Sequence, residues 1–234
     1  MKAFLLAAGE GTRLKPLTDD LPKCLVQVNG KPLLDHWISE FRMNGIRDIF
    51  INVHHFSEKI LEHIGKTKFE DVRITISYER ELLGSAGTLF KNRSYVRGET
   101  NFIIAYADVW TTTNLKQMVS FHMRRPAMAT IGLYEPDNIG ECGIVKIDRG
   151  NVVKFEEKPQ NPKGRYAFTG LAVVERNALE NLTPASFDIG KDFLPTLVGR
   201  MSAYIIHDPL FDIGTPEGYE KAQEAAKQLG LRVI

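Results

Sequence analysis

Cysteine is nearly missing from this chain, with only Cys24 and Cys142 among 234 residues. Two thiols cannot build a disulfide framework, and a chain of this length buries enough surface to fold without one. A reducing, cytoplasmic compartment is therefore expected. Excess charge is also missing. Thirty basic residues stand against 29 acidic ones, a formal net charge of +1, whereas proteins that hold nucleic acid usually carry a clear basic surplus. Long hydrophobic runs are absent too. The apolar opening, Ala3–Ala8, spans six residues before Gly9, below the roughly 7–15 of a secretory signal core. No stretch approaches the roughly 18 apolar residues of a membrane span. Nucleic acid and membrane are thus not expected partners, and homo-oligomerisation is left open. His54, His55 and His63 have no cysteine or carboxylate at zinc-binding spacing. No linker, repeat or low-complexity tract interrupts the chain.

What is present alternates. A strand is expected over 2–8, then a helix whose Leu34, Trp37, Ile38 and Phe41 recur at i, i+3, i+4, i+7 and which Gly45 stops. Strands at 48–53, 72–78 and 101–106 are separated by helices at 57–64 and from Ser85 onward. This spacing indicates βαβ units. Further on, a helix is expected over 114–124 and a strand over 127–134. Asp148-Arg-Gly-Asn has hairpin chemistry between Ile144–Ile147 and Val152–Phe155. A strand over 166–174, a helix over 191–198 and a strand over 202–207 follow. Thr215 and Pro216 read as N-cap and first residue of a last helix, with Tyr219, Ala222, Ala226 and Leu229 inward and Gly230 as its end.

The first strand breaks into Gly9-Glu-Gly-Thr-Arg13, with Lys23 ten residues beyond Arg13. Glycines let backbone approach a ligand, successive N–H groups make an anion cradle, and Arg13 and Lys23 add two cations. A polyphosphate suits that cradle. It is not the dinucleotide fingerprint, whose third glycine is Leu14 here, nor a P-loop, which would need Gly-Lys-Ser/Thr.

Leu6-Ala-Ala-Gly-Glu-Gly-Thr-Arg-Leu, Pro16-Leu-Thr, Leu21-Pro-Lys and Gly30-Lys-Pro-Leu-Leu resemble the opening of the sugar-1-phosphate nucleotidyltransferases. The resemblance runs from Met1 to about Tyr219. It implies a single α/β domain, Rossmann-like and GT-A-like, with a mixed, mostly parallel central sheet flanked by helices. Residues 1–110 would form a nucleotide-binding half and 111–234 a sugar-phosphate half, without the C-terminal β-helix domain many relatives append. It also implies Arg13 and Lys23 as catalytic cations, and nucleotide contacts from Leu6, Ala7, Ala8, Gly9, Gly11 and Thr12. Tyr78-Glu-Arg-Glu-Leu-Leu-Gly-Ser-Ala-Gly-Thr resembles the segment that faces base and ribose, adding Glu79, Gly84 and Ser85.

Asp108 follows an apolar strand, at the edge where open α/β sheets hold ligands. By resemblance, Asp108 and the Asp212 of Asp-Ile-Gly-Thr-Pro would bind Mg²⁺, although Ala107 stands where a glycine is usual. Glu157-Lys158-Pro, Thr169-Gly170 and Gly143 would bind the sugar phosphate, although Cys142 replaces a large aromatic. The implied reaction joins a nucleoside triphosphate to a sugar 1-phosphate, giving an NDP-sugar and pyrophosphate. The lean is to GTP with mannose or heptose 1-phosphate. Uridylyl, thymidylyl or cytidylyl transfer, phosphocholine as acceptor, and a non-catalytic regulatory relative remain alternatives. No Asp-x-Asp accompanies Asp108, which speaks against a metal-dependent glycosyltransferase.

Overall fold

The computed structural model of the protein describes residues 1–67, 69–136 and 142–230. In chain order its elements are β1 (Lys2–Leu6), β2 (Gln27–Val28), β3 (Lys31–Pro32), α1 (Leu33–Met43), β4 (Asp48–Val53) and α2 (Ser57–Thr67). Then come β5 (Arg73–Tyr78), α3 (Gly84–Lys91), β6 (Asn101–Tyr106), β7 (Val109–Thr111), α4 (Leu115–Met123) and β8 (Ala129–Tyr134). The last are β9 (Gly143–Asp148), β10 (Asn151–Glu157), β11 (Tyr166–Glu175), β12 (Met201–Ile205), β13 (Leu210–Asp212) and α5 (Pro216–Gln228).

Two compact units share the chain. One holds Met1–Phe4, Leu83–Ile104 and Asn114–His207; the other holds Leu5–Leu82, Ala105–Thr113 and Asp208–Ile234. The first contains a mixed sheet. Its β11 runs antiparallel to both β6 and β8, β12 is parallel to β8, and β10 is antiparallel to β12 and β9. Phe4, Phe102, Ile103 and Val174 are fully or almost fully buried within it. Arg149 and Gly150 take φ of 47° and 81° between β9 and β10. That is the twist a two-residue hairpin needs, and it explains the Arg-Gly pair.

The second unit pairs β4 with β5 in parallel, from Asp48 opposite Arg73 to Val53 opposite Tyr78. Its α1 buries the expected stripe of Leu34, Trp37, Ile38 and Phe41. The stop after α1 is a full Schellman motif. Ile46 N–H donates to Phe41 O at 2.9 Å, Gly45 N–H to Arg42 O at 3.1 Å, and Gly45 has φ of 79°. Two three-residue strands that periodicity could not announce, β7 and β13, pair antiparallel with Asp212 opposite Val109.

Some expectations need correction. β1 stops at Leu6, not residue 8, because Ala7 N–H donates at 2.8 Å to the Asn52 side chain. The expected helix over 191–198 is one π turn, Ile189–Phe193, followed by a 3₁₀ turn, Leu194–Leu197. Pro195 brings no N–H to continue an α-helix, and Asp188 caps the turn by accepting from Lys191 N–H at 3.0 Å. On α5, Ala222 and Ala226 are fully buried, but Tyr219 is only partly covered and Leu229 is half exposed beyond the last helical residue.

Gly45 has open space where a side chain would begin, so only its backbone angle demands glycine. Gly45→Ala is expected to cost about 1–2 kcal/mol. In urea unfolding this would lower the midpoint at unchanged slope, and an unaltered midpoint would refute it.

Candidate active site

In the second unit, four charged groups predicted from the sequence come together. Lys23 follows Pro22 in a single 3₁₀ turn, Lys23–Leu25, that buries all but 10% of its side chain. Its Nζ lies 2.8 Å from Asp108 Oδ2 and 3.8 Å from Asp212 Oδ1. Arg13 Nη2 stands 3.9 Å from Asp212 Oδ2. The carboxylates reach each other's neighbourhood through the β7–β13 pair, continued by Ile213 N–H donating to Asp108 O at 3.0 Å. Trp110 stacks on Phe211 across that pair, and Trp37 Nε1 donates to Val109 O at 2.7 Å. Gly214 N–H caps Asp212 Oδ1 at 2.7 Å. A Cβ on Gly214 would sit 2.6 Å from Lys23 Nζ and 2.8 Å from Asp212 Oδ1, so a side chain here would displace these charged groups.

Burial, and next the nearby Asp108 charge, push the Asp212 carboxyl above its ordinary value; Lys23, Gly214 N–H and Arg13 pull the other way. The carboxylates are therefore crowded, and cations relieve them. Gly11 begins the 3₁₀ turn Thr12–Leu14 with φ of 68°. Its carbonyl accepts from Leu14 N–H and from Thr18 Oγ1, which holds the loop closed. Thr12 and Arg13 are exposed, and Leu6 O accepts from Ala107 N–H at 2.9 Å. Gly9 is exposed, with open space where a side chain would begin, whereas Ala8 is buried.

Glu79 is 1% exposed. Asn52 Nδ2 donates to Glu79 Oε1 at 2.9 Å while Asn52 Oδ1 accepts from Ala7 N–H. Asn52, which sequence reading passed over, thus ties the glycine loop to the second predicted nucleotide segment. Its signal was a lone amide inside an apolar strand.

The first unit collects the remaining predicted residues. Glu157, at the end of β10, lies beside two glycines: a Cβ on Gly143 would sit 2.6 Å from its Oε2, and one on Gly190 would overlap the same oxygen. Burial, and next the Asp188 charge, raise the Glu157 carboxyl above its ordinary range, with Lys158 and Lys191 opposing. Lys158 holds a left-handed φ of 45°, and its N–H donates to Cys142 O at 3.2 Å. A lysine in that region is uncommon and marks a constrained turn. Cys142 Sγ is 3.7 Å from Tyr134 Oη. Gly170, with φ of 80°, sits in the irregular stretch of β11 between Phe168 and Ala172. Thr169 is buried there, its hydroxyl donating to Gly132 O and accepting from Leu171 N–H.

Gly84 takes φ of 72°, and the Phe187 carbonyl and ring fill the place of a side chain. Ser85 Oγ accepts from Ile189 N–H at 2.8 Å. Packing of the 187–189 segment accounts for both residues. Asp188 and Gly190 were missed because nothing in their spacing links them to Glu157. Cys24 is buried, its thiol pushed up to about 12 by burial, so it is inert as a nucleophile. His63 pairs with Asp35 at 2.6 Å. Among the described residues no group of three or more histidine, cysteine or carboxylate side chains is placed to hold a metal.

The family description "Nucleotidyl transferase" fits residues 2–228. The chain belongs to the nucleotidyl transferase family. Over 94% of its length it is 32% identical to mannose-1-phosphate guanylyltransferase 1 of Arabidopsis thaliana, covering 63% of that protein. It spans about three-fifths of the length of the curated relatives it matches. Among solved structures, HddC of Yersinia pseudotuberculosis complexed with GMP-PN superposes with a TM-score of 0.80 at 25% identity, covering 95% of this chain and 98% of that one. A UDP-glucose pyrophosphorylase complexed with UDP-glucose shares the fold, with a TM-score of 0.82 at 19% identity over 97% and 98% of the two chains. The α/β nucleotidyltransferase fold with a mixed sheet is thus established. No helix among the described residues is long and apolar enough to cross a membrane.

Two outcomes are expected. Asn52→Leu would strand Ala7 N–H and take one hydrogen-bond donor from the buried Glu79 side chain, costing about 1–3 kcal/mol; a change in unfolding free energy below about 0.5 kcal/mol would contradict the network. For Glu157, the raised folded value means that its protonation favours the native state. That contribution is complete below the ordinary 4.5 and is lost as pH rises through the folded value. Glu157→Gln should therefore gain stability over the parent at neutral pH and lose that advantage on acidification. A stability difference independent of pH would contradict it.

Proposed function

We propose that this chain transfers a nucleotidyl group from a nucleoside triphosphate to a sugar 1-phosphate, with GTP and mannose 1-phosphate as the leading pair. The observation that carries the reading is the cluster of Lys23, Arg13, Asp108 and Asp212 beside the glycine turn. The guanylyltransferase names of its curated relatives and the GMP-PN in the HddC structure favour guanine. Heptose 1-phosphate is the next acceptor, and uridylyl transfer the next donor chemistry.

The sugar-phosphate oxygen would attack the α-phosphorus in line, forming one P–O bond while the bond to the β-phosphate breaks and pyrophosphate leaves. No covalent enzyme intermediate is needed, and the inert Cys24 supplies none. The work of the chain is positioning and charge neutralisation. Arg13 would hold the triphosphate and the charge growing on pyrophosphate, and Lys23 would stand at the α-phosphate. Leu6–Ala8, Gly9, Gly11, Thr12 and Glu79 would seat the nucleotide, with Gly84 and Ser85 in support. In the first unit, Lys158 would bind the sugar's phosphate, and Glu157, Gly143, Thr169 and Gly170 would shape its sugar site.

Two carboxylates converging on one ammonium make an oxygen-only donor pair, which fits Mg²⁺ better than a softer ion. Asp108 and Asp212 would hold it. When bound, Mg²⁺ supplies neutralisation of charge on the phosphate oxygens. Two free cysteines suit a reducing, cytoplasmic setting.

The test incubates the protein with Mg²⁺, each common nucleoside triphosphate and a panel of sugar 1-phosphates and phosphocholine, reading pyrophosphate. GTP with mannose 1-phosphate should release it fastest. Nucleotide binding without release for any pair would favour a regulatory relative instead. Arg13→Ala and Asp108→Asn should each lower turnover by about 10²–10³. Near-normal turnover in either would remove that residue from the reaction.

A further inference from the structure

The first unit has an open cavity of about 570 Å³, lined by none of the residues just assigned, between the C-terminal end of α3 and the turn that follows β11. Its rim carries Lys91, Arg93, Arg97 and Arg176 against a single carboxylate, Glu180. Four cations less one anion leave a local charge of +3 in a chain whose total is +1. Among the described residues, none of the four cations makes an ion pair. Their hydrogen bonds go elsewhere: Arg93 Nη1 donates to Phe90 O at 2.7 Å, and Arg176 Nη2 to Asn177 Oδ1 at 2.6 Å.

Part of the cavity wall is apolar. Leu179 and Leu182 are each 5% exposed and line it with Phe90. Arg93 lies over the Phe90 ring at 4.3 Å from its centroid, so one guanidinium is already held in place. The wall is also anchored, since Arg176 N–H donates to Thr100 O at 2.9 Å and Arg97 N–H to Ser94 O at 3.1 Å. Unneutralised like charges repel, and a polyanion seated among them removes that cost while gaining charge-assisted hydrogen bonds. The volume lies in the usual range for a small-molecule site, roughly 300–1,000 Å³. It exceeds the needs of a bare phosphate, and the apolar wall asks for a flat or apolar body attached to the charge.

We propose that this cavity is a second ligand site, one that takes a nucleoside di- or triphosphate without reacting it. The phosphates lie among Lys91, Arg97 and Arg176, and the base lies along Leu179, Leu182 and the Arg93–Phe90 stack. The site shares no residue with the reaction groups, so its loss and theirs are separable.

Equilibrium dialysis with labelled GTP and GDP tests it, on the parent, on Arg97→Gln/Arg176→Gln and on Arg13→Ala. The glutamine pair keeps side-chain bulk and removes only charge; circular dichroism verifies folding, and Lys91→Gln, on the exposed end of α3, serves as a second variant. The glutamine pair should bind one nucleotide fewer than the parent, and Arg13→Ala should keep the site the pair loses. Lys91→Gln should weaken that site by roughly tenfold, and rising salt should weaken it further. Inorganic tripolyphosphate should bind there at least about tenfold less tightly than GTP. A folded glutamine pair with the parent's stoichiometry overturns the site, and tripolyphosphate binding as tightly as GTP overturns its nucleoside part.

Discussion

An ammonium held against two carboxylates sets the terms for the second unit. At a separation near 4 Å, unit charges interact by about 4 kcal/mol at an effective dielectric of about 20. Asp108 and Asp212 carry charge of one sign into a corner lined by Gly214, and burial first, the Asp108 charge next, make the Asp212 carboxyl hold its proton more tightly. Lys23 is the compensation, and its burial fixes it there. An arrangement that must be balanced by a cation is one that can exchange partners. On the proposed function, phosphate groups would compete for Lys23 and Arg13, while a hard cation would compete for the aspartates.

That corner depends on a small mechanical frame. β7 and β13 have three residues each, too few to be stable on their own account. The Trp110–Phe211 stack and the Trp37 hydrogen bond to Val109 O hold them. Trp37 is presented by α1, whose end is fixed by Gly45. A helix stop some distance along the chain is thus part of what keeps two aspartates together.

Local chemistry was legible in the sequence, and cross-chain pairing was not. Gly45 and Arg149-Gly150 act through their own backbone, and Thr215 through a hydroxyl that accepts from Gly218 N–H three residues on, so residue type and position sufficed. The glycine turn, Arg13 and Lys23 were legible as a loop with cations, Asp108 as a residue after an apolar strand, and Asp212 through its resemblance to a family segment. What brings Lys23 to Asp108 is a separation of 85 positions closed by the fold, which no spacing rule carries. The same holds for Asn52 with Glu79, and for Glu157 with Gly190. The helix expected over 191–198 failed for a different reason: Pro195 and the Asp188 cap divided it into tighter and looser turns.

Glycines separate into two kinds once the structure is known, and the difference bears on which parts of the chain await a ligand. Gly84, Gly143, Gly190 and Gly214 have protein atoms where a side chain would begin, so the fold itself accounts for them. Gly84 and Ser85 are therefore explained by the 187–189 segment before any base is considered. Gly9 is unlike these. It is exposed, nothing lies within 4 Å of the place a side chain would occupy, and its φ is not one that excludes other residues. Gly65 on α2 shows that an open glycine alone proves little. At Gly9 the open position falls in the turn after β1, two residues before Gly11, whose own Cβ would meet Lys23 at 3.2 Å, and four before Arg13. Among the described residues no contact there requires the side chain to be missing, and the proposed function would place that requirement in the ligand. A phosphate or ribose brought close to the backbone by those cations is such a requirement.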